Sequence, residues 1–344
     1  MKTKKLILLF VLLVLGWFSG QRLISFLTEK KRLSVFITDF SKKSIDLGEL
    51  VFGKVGKNDI PDILELKFIS VKEAEAQLKD STKGILVDIL GRKRFYPLNI
   101  LVWHEVINDF FEGVPYSVTY SPFCESVAVY KGSLNNQGIE FRASGLLYHG
   151  NLVFYDTKTE SLWSQGLGKA IVGEHTGSSL DLVPTTQLLT FKDVKINHYG
   201  AEVLSQDTGY FYNYSYNPYS GYLVSDEIPD FIDYENKRFP AKEMMYVVPL
   251  GDKSLVFSLN DLPEQDVRQR TIDGSEIRAG RLGAEIIVTK DGQRVGCYQQ
   301  LWLCWAALHQ EDGVVWDIKL EDLNKKIDAK NQVEEATSAS VSAQ

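Results

Sequence analysis

Glycine falls too often in the middle of this chain for long helices to form there. Gly145, Gly150, Gly166, Gly168, Gly173 and Gly177 cut residues 145–177 into short segments, and each glycine inside a helix costs about 0.5–1 kcal/mol relative to alanine. Residues 127–130, 139–143 and 152–155 alternate with the period of half-buried strands. Upstream, 84–90 and 94–96 flank a turn at Gly91-Arg92, and 106–111 and 115–120 flank Glu112-Gly113. Downstream, 284–289 and 293–297 flank Asp291-Gly292, a strong hairpin signal because both residues tolerate positive φ. The predicted class is α+β and β-rich, with many short antiparallel strands and hairpins and a few short helices.

Helices are expected at four places. Residues 70–78 begin with Ser70 as N-cap and Glu73 three positions on, the reciprocal cap of a helix start. Pro97 opens a second helix to about Trp103, because proline's missing N–H is harmless at a first position. Residues 186–198 form the main internal candidate, and the aromatic run 301–308 reads as a buried helix. Residues 207–240 hold Tyr210, Tyr212, Tyr214, Tyr216, Tyr219 and Tyr222 among Asn, Ser, Gly and Pro. So long a loop inside a compact body is expected to cover a pocket. Residues 246–259 echo 87–98 with a one-residue offset. Residues 60–323 are therefore expected to form a single β-rich globular domain with two weakly related halves.

The ends differ from the body. Lys2, Lys4 and Lys5 precede residues 6–18, which are apolar and uncharged, the order of an export signal. Trp17 and Phe18 occupy positions where a cleavage site needs small residues, and the apolar patch 23–27 extends the run toward the ~20 residues of a membrane crossing. Residues 1–28 are expected to be a signal-anchor or a signal peptide. They would form an N-terminal membrane helix that places the body outside the cytoplasm, in the periplasm or at the cell surface. A helix with an apolar face at Leu33, Val35, Phe36 and Phe40 fits within 29–59, which is expected to tether the body to the membrane. Residues 324–344 lack the apolar content to fold and are expected to be a disordered tail.

Composition excludes one class. A net charge of −7 argues against a nucleic-acid partner, which needs a basic face. No P-loop, dinucleotide fingerprint, Gly-x-Ser-x-Gly elbow or His-Glu-x-x-His helix is present. Three cysteines, Cys124, Cys297 and Cys304, leave at least one thiol unpaired within a monomer, and no spacing demands a disulfide. Cys304 reads as a small apolar side chain of the 301–308 helix.

One series of words organises the chain. It runs Trp103-His104-Glu105 with Asn108-Asp109, Thr119-Tyr120-Ser121-Pro122-Phe123-Cys124, Ser144-Gly145-Leu146-Leu147-Tyr148, Tyr155-Asp156, and Ser161-Leu162-Trp163-Ser164-Gln165. Gly173-Glu174, Val203-Leu204-Ser205 and Asp207-Thr208-Gly209-Tyr210 continue it, with Trp305-Ala306-Ala307 near the end. In this order the words resemble the domain of unknown function 3179, over about residues 60–310. That family carries no agreed activity. Its pattern has Cys-Pro-Leu-Cys where this chain has Ser121-Pro122-Phe123-Cys124. The resemblance therefore implies a Cys-x-x-Cys role, redox or metal-binding, that the hydroxyl of Ser121 cannot support. Cys124 is expected to be a free thiol, since Cys297 and Cys304 reach it only if the second half folds back on the first.

The candidate pocket is built from these words: Trp103, His104, Glu105, Asn108, Asp109, Cys124, Tyr148, Tyr155, Asp156, Trp163, Gln165 and Tyr210. Aromatic rings supply area and the amide and carboxylate groups orient a ligand. His104 and Cys124 are the candidate metal ligands, and the alternative for His104 is a hydrogen-bonded structural histidine at a helix end. Three functions compete. The first is a membrane-anchored extracytoplasmic module that binds a small molecule, its pocket lying between 103–165 and the tyrosine-rich loop. The second is a metal- or haem-associated redox accessory protein with a degraded Cys-x-x-Cys site. The third is a hydrolase using His104, Glu105 and Asp156.

Overall fold

Two-residue turns close the hairpins wherever a residue that accepts positive φ stands at a strand end. Leu90 (φ 53°) and Gly91 (φ 85°) join the strands Lys83–Ile89 and Arg92–Pro97, the left-handed pair that matches the twist of its flanking strands. Asp291-Gly292 does the same between Glu285–Lys290 and Gln293–Arg294. The structure is a computed structural model that describes residues 33–318, apart from positions 54, 64, 263 and 284. It is β-rich α+β, as expected, with short helices α1 (Val71–Ala74), α2 (Leu98–His104), α3 (Phe191–Asn197), α4 (Ser220–Val224) and α5 (Trp302–Leu308). The expected N-terminal membrane helix and the tail 324–344 lie outside the described residues. Among those residues no helix is long and apolar enough to cross a membrane.

A seven-stranded sheet is shared by both halves of the chain. Its order is Gly313–Val315, Lys253–Ser258, Met244–Leu250, Tyr298–Leu301, Ser126–Lys131, Val114–Ser121, Val106–Phe111. The halves meet where Gln299 pairs with Val127. Alternation then sends neighbours to opposite faces. Val127 and Val129 join a core with α2 and the hairpin 83–97. Ala128 and Tyr130 join another with Phe141, Phe154, Trp163 and α5. In the second half, Tyr246, Val248, Leu255 and Phe257 pack on Ile277, Ala279, Ile286 and Val288 of a four-stranded sheet.

Two five-stranded sheets cover the first half. One has the order Thr186–Thr190, Lys83–Ile89, Arg92–Pro97, Glu202–Leu204, Phe68–Ser70, and α1 and α3 pack on its outer face. The other has the order Leu50–Phe52, Phe141–Tyr148, Asn151–Asp156, Leu162–Ser164, Lys169–Val172. The segment expected to be a tether lies on this second sheet from residue 33 onward. Leu33 and Phe36 are buried beside Tyr155, and Leu50 pairs with Tyr148. Gly145 explains how the segment approaches so closely. Its φ is +75°, and a Cβ there would lie 2.7 Å from the Val55 carbonyl oxygen.

Two further expectations are corrected. Residues 186–198 do not form one helix: Thr186–Thr190 pairs with the strand at 83–87, and only Phe191–Asn197 is helical. Thr190 accepts the Asp193 N–H while Asp193 reaches back to the Thr190 backbone, so the helix starts where the cap is, after the strand. Cys124 is not free. It forms a disulfide with Cys304 across the meeting of the halves, at a sequence separation of 180 and a Cα–Cα distance of 5.7 Å. Cys297 is the free cysteine.

Closing so long a loop removes conformational freedom from the unfolded chain, a stabilisation of about 3–5 kcal/mol. Labelling of the unreduced, denatured protein is expected to modify Cys297 alone. The double variant Cys124→Ala/Cys304→Ala should unfold at lower denaturant, with a loss of that size in equilibrium unfolding.

Candidate functional site

Helix α2 begins after Pro97, in extended backbone at ψ 133°, and drives Ile100 and Leu101 into the core. It ends at Glu105, which takes φ 55° and ψ −35°, a conformation that a non-glycine residue adopts only at a cost. The backbone there is held at both ends: Glu105 N–H donates to the Leu101 carbonyl at 2.7 Å, and its own carbonyl accepts the Tyr120 N–H at 2.8 Å. The residue is 9 % exposed, no hydrogen bond from the described residues reaches its carboxyl, and the oxygens keep a narrow contact with solvent. Burial without a partner pushes the carboxyl up to about 8. Burial raises the hydroxyls of Tyr120 and Tyr219; at Tyr120 the Glu125 charge, then Tyr219 and last Glu105 add to it, and at Tyr219 Glu105 does.

The tyrosine-rich excursion lies over this end of α2. Trp103 stacks on Tyr212 at 4.8 Å and 18°, and Tyr212 stacks on Tyr210 at 5.9 Å. His104 sits beneath them with both ring nitrogens engaged, Nδ1 at 2.7 Å from the Pro61 carbonyl and Nε2 at 2.9 Å from the Tyr214 hydroxyl. A carbonyl only accepts, so Nδ1 carries the proton and Nε2 accepts from Tyr214. The Tyr214 oxygen lies 2.6 Å from Thr208 Oγ1 and completes the chain. Burial lowers the affinity of His104 for a second proton, and the Pro61 carbonyl offsets this only in part. Asn99 stands one helical turn before Trp103, on the same face of α2. Its amide donates to the Tyr214 carbonyl at 3.0 Å, while its Oδ1 and Trp103 Nε1 are buried without a partner.

The remaining candidate residues belong elsewhere. Asn108 clamps two sheets by accepting from Ser117 and the Phe141 N–H and donating to the Phe141 carbonyl. Asp109 accepts from Arg94 at 2.8 and 2.9 Å and from Tyr96 and Tyr116, and the Arg94 guanidinium lies between the rings of Phe68 and Phe111. Asp156 closes its own turn, accepting from the N–H groups of Lys158 and Thr159, the Thr159 hydroxyl and Trp163 Nε1. Its carboxylate is thus committed to a different sheet from His104 and Glu105. Tyr155 donates to Asn58, Tyr148 packs on His149, and Gln165 bonds Asn151 and the Ser126 carbonyl. Ser121, which stands in the first cysteine's place, accepts the Leu152 N–H at 2.9 Å.

Of the candidates, Trp103, His104 and Glu105 therefore lie under the excursion, and Tyr210 lies on it. With its sulfur in a disulfide, Cys124 offers no thiolate to a metal, and among the described residues no three His, Cys, Asp or Glu side chains cluster as ligands. Sequence reasoning missed Asn99, Tyr120 and Pro61. The four-residue spacing of Asn99 and Trp103 was the available signal for the first, while the other two reach the site only through tertiary folding.

A family model described as "Protein of unknown function (DUF3179)" matches residues 57–342, and the chain belongs to that family. No curated protein and no solved structure matches it.

Removing the imidazole leaves the Pro61 carbonyl and Tyr214 hydroxyl short of a partner, so His104→Ala should cost more than about 1 kcal/mol in thermal or chemical melts. Because the fold lowers the His104 pKa, the unfolded chain takes up its proton first. Its contribution is complete above the unfolded value of 6.5 and shrinks as pH falls below it. Trp163 is fully buried, and Trp163→Ala should lose about 3–5 kcal/mol in the same measurement.

Proposed function

We propose that this protein is a membrane-anchored, extracytoplasmic module that binds a small molecule where the tyrosine-rich excursion meets the C-terminal end of α2. The carrying observation is Glu105, whose backbone is strained and whose largely buried carboxyl receives no hydrogen bond from the described residues. A perturbed carboxyl of this kind costs stability, and such costs concentrate at binding and catalytic sites. On the same helix α2, Trp103 Nε1 and Asn99 Oδ1 are buried without a partner and offer one donor and one acceptor. The Cys124–Cys304 disulfide supports the location, because structural disulfides persist in oxidising compartments. So does the basic, then apolar, start of the chain.

The excursion is suited to admitting a ligand. Its described backbone-to-backbone hydrogen bonds between residues 208 and 232 are all local, such as Tyr216 to Asn213, Ser220 to Asn217 and Ile232 to Pro229. Side chains attach it to the body, through Tyr214 on His104 and Tyr222 on the Phe123 carbonyl. Segments held this way open at lower free energy than sheet cores.

Mass spectrometry of untagged protein extracted from membranes is expected to find a co-purified small molecule that is lost from Glu105→Gln. A bound molecule retained equally by wild type and Glu105→Gln overturns the assignment of the site. A reporter fused after position 323 should be active only outside the cytoplasm, and activity confined to the cytoplasm overturns the topology.

A further inference from the structure

Resting on the site just proposed, we infer that its ligand is a monovalent organic cation, a protonated amine or a quaternary ammonium, held between the Glu105 carboxylate and the surrounding rings. The charges that face Glu105 favour this class. From the strand Val114–Ser121 comes Tyr120 and from the excursion Tyr219, while Glu125, at the corner after that strand, acts on Tyr120. His104, next in the chain, is biased toward its neutral form by burial, which the Pro61 carbonyl offsets only in part. None of these groups is positive. Lys83 sits 3.5 Å from Glu125 with its side chain 56 % exposed. The Lys242 ammonium is spent on the carbonyls of Tyr222 and Ser225. An anion at this place meets like charge, and a neutral polar molecule leaves the carboxyl's capacity for an ion pair unused.

The rings supply the second half of the recognition. Phe123 packs edge-on against Tyr219 at 5.1 Å and Tyr222 at 5.5 Å, beside the Tyr219 that faces Glu105. Trp103 and Tyr212 stack over the helix end. Aromatic faces attract cations, most strongly when desolvated. The molecule already contains an example close by, since the Lys242 ammonium lies 4.0 Å from the centroid of the Tyr222 ring. The end of α2 adds the partial negative charge of a helix C-terminus, which also favours a cation.

The proton balance follows directly. The free site holds Glu105 as a neutral acid near pH 7. Seating a cation ionises it: the carboxyl O–H bond breaks, the proton leaves to buffer, and the carboxylate pairs with the ligand. No oxidant or other co-reactant is involved.

Titration calorimetry of the full chain in detergent, with choline and butylammonium as probes and 3,3-dimethylbutan-1-ol as choline's neutral counterpart, tests this. At least one cation should bind more tightly than the alcohol. Affinity should rise about tenfold per pH unit from pH 6 toward 8, and about one proton should be released at pH 6.5, read from buffers of different ionisation enthalpy. Glu105→Gln, checked for folding by its melt, should lose both the binding and the proton release. If the alcohol matches the cations, if no proton is released, or if no cation binds, the cation assignment is overturned. Should Glu105→Gln nevertheless lose the co-purified molecule, the site stands with another ligand class. Retention of that molecule by the variant removes the site as well.

Discussion

The meeting of the two halves inside one sheet is the constraint on which the rest of the structure depends. Strands from 106–131 and from 244–315 share seven positions, joined at the pair Gln299 and Val127. Everything stacked on either face is positioned by that join: the hairpin 83–97 and α2 on one side, Trp163 and α5 on the other. Hydrogen bonding at the join is short, so side-chain packing and the Cys124–Cys304 bond carry the connection. The Ser126 hydroxyl and both amide atoms of Gln300 are buried beside it without partners, which makes this seam costly to form in polar terms.

Glu105 inherits its position from that arrangement. Helix α2 cannot continue, because its last residues must turn into the edge strand Val106–Phe111 of the shared sheet. The single residue that makes the turn takes positive φ, and its carboxyl is carried under the excursion as a result. A glycine would make the same turn with less strain. A glutamate there gives up backbone comfort and solvation together, whereas Asp109, Asp156 and Glu202 spend their carboxylates on arginine, backbone amides or hydroxyls.

Much of this was legible in the sequence where local chemistry decides the outcome. The Ser70 and Glu73 cap, the Asp291-Gly292 turn and the period-two strands stand as read, and the helix expected at Pro97 starts one residue later with Pro97 as its cap, because each depends on neighbours within a few residues. The hairpin Val267–Ile272 and Ser275–Leu282 is poorly marked in the sequence despite its Asp273-Gly274 turn. Arg268, Arg270, Arg278 and Arg281 dilute its apolar pattern, since one face is in solvent. The 186–198 misreading is of the same kind, an apolar run whose strand half is fixed only by its partner at 83–87. Of the site, the words at 103–105 and the tyrosines were visible. That Asn108, Asp109, Asp156 and Gln165 hold sheets and turns was not, because polar residues that clamp a core look the same in sequence as those that clamp a ligand.

The disulfide has a consequence for the protein's birth. Cys124 is made 180 residues before Cys304, about 10–40 s at ordinary synthesis rates of roughly 5–20 residues per second. Throughout that interval the first thiol waits without its mate, and Cys297 reaches the ribosome's exit ahead of Cys304. Order of emergence thus favours the wrong partner, and the correct one is chosen by the docking of α5 beside the corner at Pro122–Cys124. Oxidation in this chain is a seal applied after assembly, and an oxidant that acts too early traps a chain whose halves have yet to meet.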